Sequence, residues 1–117
     1  MLADVRLNAV SRRRGFSKTR LRERLSEAGI EYVHFRCLGN PKENRAPFRT
    51  GRITEGKRVF ADLIASEAAR AALDELSRRT RLEVVAVMCF EADHAQCHRQ
   101  VIADMVRDRA LVPLLKA

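Results

Sequence analysis

The sequence predicts an α/β fold: a short, mostly parallel sheet of about three or four strands, flanked by helices. Three observations predict it. Segments of strand and helix character alternate in the order strand, helix, strand, helices, strand, helix. Residues 82–90 are almost continuously apolar, as a strand covered on both faces should be. The chain has 117 residues, 46% of them hydrophobic, enough for one core and too few for two. Residues 1–117 are therefore read as a single domain.

The first strand is read at residues 2–7, followed by a loop that ends in Gly15 and Phe16. Ser17 is an N-cap whose hydroxyl can take a free amide of the next turn. Leu21, Leu25 and Ala28 then share one helical face, and Gly29 ends the helix. Residues 30–35 form the second strand, rich in β-branched and aromatic side chains. A turn at residues 38–41 opens a long polar connection reaching about residue 54. Val59, Phe60, Leu63 and Ile64 make the next helical stripe. Ala68, Ala71, Ala72 and Leu76 continue it after a break near Ser66. After the strand at 82–90 comes a helix carrying Val101, Ile102, Met105 and Val106, and Pro113 limits regular structure beyond it.

The formal charge is +8, with a pI near 10.4, and its distribution is uneven. Residues 1–58 hold 15 Lys/Arg against 6 Asp/Glu, a balance of +9, while residues 59–117 hold 8 against 9. A one-sided positive field attracts phosphates, so nucleic acid or another phosphate-bearing ligand is the expected partner. The same charge also serves solubility. No apolar run approaches the ~20 residues of a membrane span, so no membrane association is expected. The N-terminus has no signal-peptide layout, and three cysteines form an odd, sparse set that suits a reducing compartment. A cytoplasmic location is expected.

In a parallel sheet, ligands collect beyond the carboxyl ends of the strands. Three loops should meet there: those after Arg6, after Phe35 and after Cys89. The third carries the sharpest signal, in residues 93–99. Asp93 and Gln96 form a capping box, which places Cys97 at the end of the first helical turn. Cys97 and His98 precede Val101 and Ile102 by four positions each, so they line up with the buried stripe. A helix N-terminus, an adjacent imidazole and Arg99 all favour a thiolate, the form that acts as a nucleophile or redox centre. A small buried hydrophobe is the plainer reading of Cys97, and a hydrogen-bonded residue at the sheet edge that of His98.

Zinc is a rival, since Cys89, His94, Cys97 and His98 are all ligand types. Their spacing is not a standard one, and helical neighbours such as Cys97 and His98 do not face one another. No metal and no cofactor is therefore assigned. Cys37 reads as a buried filler. Asp4 and Arg6 share one strand face, either as an orienting carboxylate and an anion-binding guanidinium or as a structural ion pair. Ser11 and Arg12 complete the first loop. The second offers His34, Asn44 and Arg45, with Gly39 allowing close backbone approach.

These residues also carry a resemblance. The segment from Asp4 to Arg12, followed by Gly15-Phe16-Ser17-Lys18, resembles the Asp-Val-Arg…Ser-Arg opening of the domain-of-unknown-function 488 family. Tyr32-Val33-His34 with Leu38-Gly39-Asn40-Pro41 is similar to that family's second block. Cys89-Phe90-Glu91 and Cys97-His98-Arg99 resemble its Cys-x-Glu…Cys-His-Arg signature. Members usually begin with a further strand and helix, whereas this chain starts inside the pattern. The resemblance thus implies an N-terminally truncated domain whose open sheet edge invites self-association, so a homodimer is expected. It implies a three-layer α/β fold and supplies no reaction.

The reading that combines these residues is an enzyme acting on a phosphate-bearing substrate, a nucleotide or nucleic acid. Cys97 is its nucleophile or redox centre, His98 the base, and Asp4 an orienting group. Arg6, Ser11, Arg12, His34 and Arg99 bind substrate. The alternative is a basic, non-catalytic nucleic-acid-binding module.

Overall fold

β1 (Leu2–Asp4) is the centre of a three-stranded, all-parallel sheet in a computed structural model that describes residues 1–91 and 97–110. β2 (Tyr32–His34) lies on one side and β3 (Ala86–Met88) on the other, with Ala3 opposite Val33 and Val87. The ladders are shorter than the apolar runs that announce them. β1 ends at Asp4, where the amide of Val5 still bonds the Met88 carbonyl of β3 and the Asp4 carbonyl takes the amide of Phe35.

Alternation along β1 divides the molecule. Ala3 and Val5 face a core made with Phe35, Leu38, Phe60, Ile64, Ala69, Leu73, Leu76 and Ile102. This is where α3 (Ile53–Leu63), α4 (Glu67–Thr80) and α5 (Arg99–Ala110) pack. Asp4 and Arg6 face the other way, toward Tyr32, near α1 (Lys18–Glu27). Helices thus lie on both sides of the sheet, as the three-layer expectation holds.

Several expectations are corrected. β3 is an edge strand and is not covered on both faces. Val85, Val87 and Cys89 turn to the core, while Leu82 and Val84 are 82% and 81% exposed, because α1 reaches only the β2 side. The polar stretch 42–54 is not an open loop. A 3₁₀ turn at Lys42–Asn44 leads into α2 (Ala46–Arg49) and then α3, which starts at Ile53. Charged residues hide α2 and the first turns of α3 from a periodicity search, which finds α3 only from Val59 onward. Gly56 anchors it: a β-carbon there would stand 2.8 Å from the ring of Phe48, so only glycine lets α2 lie against α3. Leu63 is exposed, and the buried stripe of α3 runs through Gly56, Phe60 and on to Ile64. In α4 the buried positions are Ala69, Ala72, Leu73 and Leu76, displaced from the anticipated Ala68 and Ala71. Ser66 caps the helix, its hydroxyl accepting the Ala69 amide, and the buried face is the one that meets the core. α5 buries Val101, Ile102 and Val106 as expected.

Ser17 does precede α1, but its hydroxyl does not take an amide of the helix. It accepts the Ser11 amide at 2.9 Å and donates to the Ser11 carbonyl, closing the 11–17 loop. Gly29, at φ +72°, ends α1 as anticipated, with the amides of Gly29 and Ile30 bonding back to Ser26 and Leu25. Asp93, His94, Gln96 and Pro113 lie outside the described residues. Among the described residues, no helix is long and apolar enough to cross a membrane.

Candidate functional site

At the carboxyl end of the sheet, parallel strands leave their loops on one rim. A small cleft of about 320 Å³, counting its open mouth, lies there. Arg6 and Leu7 come from the first loop, Asn40, Arg45 and Phe48 from the second, and Cys89, Phe90, Glu91, Cys97 and His98 from the third.

Cys97 and His98 precede α5 and do not occupy its first turn, since the helix begins at Arg99. The His98 carbonyl receives the amides of Val101 and Ile102, so His98 ends the non-helical approach. Freed from helical geometry, the two neighbours face one another, with Cys97 Sγ 3.3 Å from His98 Nδ1. The other ring nitrogen, Nε2, lies 3.0 Å from the Val5 carbonyl. A carbonyl only accepts, so Nε2 carries the hydrogen and Nδ1 is left to take a proton from the thiol. Phe60, fully buried, meets the imidazole edge-on with ring centroids 4.9 Å apart, which fixes its plane.

Cys97 is 3% exposed, but its surroundings are polar. The Arg99 amide donates to its sulfur at 3.4 Å, and Cys89 Sγ lies 2.6 Å away. The Cys89 sulfur in turn accepts the Glu91 amide at 3.2 Å. The hydrogen bond with Cys89 pulls the Cys97 thiol down to about 4, helped by His98 and by the Arg99 amide and opposed by burial. Cys89 moves the opposite way, because a thiolate beside it and its own burial hold its proton in place. The two thiols therefore titrate as a pair that releases its first proton readily and keeps its second.

Asp4 and Arg6 form a closed ion pair on the far face of the sheet. Arg6 Nε and Nη2 donate to the two Asp4 carboxylate oxygens at 2.8 and 2.6 Å, and its backbone amide adds a third bond. Tyr32 donates its hydroxyl at 2.5 Å. Burial alone would raise Asp4, yet the bonds from Arg6 and Tyr32 outweigh it and hold the carboxyl below its usual value. Burial, reinforced by donation to Asp4, pushes Tyr32 up to about 12. Arg6 Nη1 donates to the Phe16 carbonyl, tying the basic loop to the sheet. Arg6 reaches the cleft, while Asp4 stands behind it.

The other anticipated residues are placed differently. His34 bonds the Arg6 carbonyl through Nε2 at 2.7 Å and buttresses the first loop. Ser11 closes its own loop, Arg12 is exposed, and neither lines the cleft. Arg99 donates from Nη2 to the Glu91 carbonyl at 2.7 Å, binding the two ends of the third loop. Cys37 is exposed, contrary to its reading as a filler. Its sulfur, near the Ala68 carbonyl, is raised by desolvation.

Sequence reasoning missed the Cys89–Cys97 contact and the role of Asn40, while Arg45 was among the residues it offered in the second loop. Arg45 lies over the Phe90 ring at 4.9 Å and, among the described residues, has no carboxylate partner. Asn40 and Asn44 exchange amide hydrogen bonds that lock the second loop against the Gly56 carbonyl. The available signal was positional: Cys89 follows β3 directly and Cys97 lies two residues before α5, both at one rim.

Cys89, Cys97 and His98 also present ligand atoms within 4.8 Å of one another, a set able to hold a soft cation.

A family model described as "Domain of unknown function DUF488" matches residues 1–106. No curated protein and no solved structure matches.

Proposed function

The chain belongs to the DUF488 family, and we propose that it is a thiol-dependent enzyme acting on a phosphate-bearing substrate, a nucleotide or nucleic acid. The observation that carries this reading is the alignment of the Cys97 sulfur, His98 Nδ1 and, through His98 Nε2, the Val5 carbonyl. A base whose tautomer is fixed from behind is oriented to accept the thiol proton. The sulfur attacks the electrophilic atom of the substrate, and the leaving group departs with the proton that His98 received. Arg45, at the mouth, supplies a guanidinium for a phosphate, and the basic first half of the chain favours its approach. Arg6 is a positioning residue, since its main bonds go to Asp4 and Phe16.

The test is alkylation of Cys97 by iodoacetamide with and without inorganic phosphate or a nucleoside phosphate. Slowed labelling at Cys97 and unchanged labelling at Cys37 are expected. Equal rates with and without these anions would remove the phosphate-bearing substrate.

A second reading is favoured by a separate groove lined by Arg14, Gly15, Arg20 and Arg24. Three arginines around one concavity suit a nucleic-acid backbone without any thiol chemistry. Binding to mixed oligonucleotides that weakens steeply with salt and survives Cys97→Ser supports this module.

A further inference from the structure

We infer that Cys89 and Cys97 form a two-electron redox couple, with Cys97 attacking a hydroperoxide and Cys89 resolving the product into a disulfide. The inference rests on the reading of Cys97 as a nucleophile and extends it to a second substrate class.

The two sulfurs lie 2.6 Å apart, roughly half an ångström beyond a disulfide bond. The cysteines are not equivalent. Cys97 has the base, at 3.3 Å, and the amide of Arg99. Cys89 follows an edge strand and is less buried. One is equipped to attack and the other to resolve. Cys97 is 3% exposed and lines the small cleft together with Cys89. Cys37 is remote in this chemistry, directed to the Ala68 carbonyl.

The steps balance. The Cys97 thiolate attacks one oxygen of the hydroperoxide, the O–O bond breaks, and the departing alkoxide or hydroxide takes the proton held by His98. Sulfur is oxidised to the sulfenic acid and the peroxide is reduced to alcohol or water. The Cys89 sulfur then attacks Cys97 Sγ, an S–S bond forms, the S–O bond breaks, and hydroxide leaves as water with the Cys89 proton. Two equivalents of an external thiol return the pair to the reduced state by exchange.

The experiment is titration of the reduced chain with hydrogen peroxide, followed by intact mass measurement and peptide mapping. One equivalent should remove about 2 Da, two hydrogens, and link Cys89 to Cys97, reversibly with dithiothreitol. Cys89→Ser should instead accumulate a sulfenic acid at Cys97 that dimedone traps. Oxidation that leaves both thiols free, runs on to sulfinic acid in the parent chain, or links Cys37 would overturn the couple. So would stoichiometric zinc in the purified chain that protects both cysteines until a chelator is added. Mapping of the parent chain decides between these outcomes even if a variant fails to fold. Fast alkylation of Cys97 without any disulfide would sink the couple alone and leave the nucleophile reading intact.

Discussion

Gly39 sits so close to Leu7 that a β-carbon added to it would stand 2.5 Å from the Leu7 α-carbon and 2.7 Å from its amide nitrogen. The obstacle is backbone, which cannot rotate away. The second loop is thereby pressed onto the first where Leu7 and Asn40 line the cleft. Gly39→Ala should cost about 1–3 kcal/mol and widen the cleft. Denaturant unfolding measures the first, and faster labelling of Cys97 reports the second.

Asp4 and Arg6 are a buried ion pair, both at most 2% exposed. Removing one charge strands the other, so Asp4→Asn should lower stability by about 3–5 kcal/mol. The pH dependence follows from the depressed Asp4 carboxyl. Its stabilising effect is complete above the unfolded value of about 4 and is lost as pH falls through the lower folded value. The pH dependence of stability between mildly acidic and neutral pH should therefore owe nothing to this group. In Asp4→Asn, the part of the acid-unfolding slope that Asp4 supplies should vanish. An unchanged slope below about pH 4 would show that other carboxylates govern it.

His98→Asn keeps a polar side chain and removes the base. The midpoint of the Cys97 alkylation profile should move to higher pH, with Cys37 unaffected and the circular dichroism spectrum retained. An unmoved profile would assign the thiol's activation to Cys89 and the Arg99 amide alone.

Arg45→Gln removes the guanidinium over Phe90. Protection of Cys97 by inorganic phosphate should weaken by about 10–100-fold, while the unprotected labelling rate holds. Loss of protection in Arg12→Gln instead would place the anion at the exposed basic loop.

The layers of the fold were legible because alternation and helical stripes follow from burial alone. Ile102, Leu76 and Phe60 reach the core where their periodicity puts them. Boundaries were not, since they depend on partners distant in sequence: β3 shrinks to Ala86–Met88, where among the described residues it pairs with the short β1 alone. α3 was anticipated from Val59, Phe60 and Ile64, but its first turns were not, because they carry Thr54, Glu55, Lys57 and Arg58 and because Gly56 is a packing contact and not a breaker. The Cys97–His98 pairing was anticipated as a reactive motif through the wrong local geometry. Helical spacing forbids neighbours from meeting, and the non-helical turn before Arg99 allows it. The Cys89–Cys97 contact joins a strand end to a helix start, and no local pattern encodes such a distance.

The pH profile of alkylation at Cys97, read beside Cys37 by peptide mass spectrometry, tests the nucleophile most directly. With its thiol drawn down to about 4, Cys97 should label at a nearly constant rate from about pH 6 to pH 8. Cys37, raised by desolvation, should slow about tenfold for each unit of falling pH. Parallel profiles for the two cysteines would contradict the thiolate at Cys97 and the enzyme built on it.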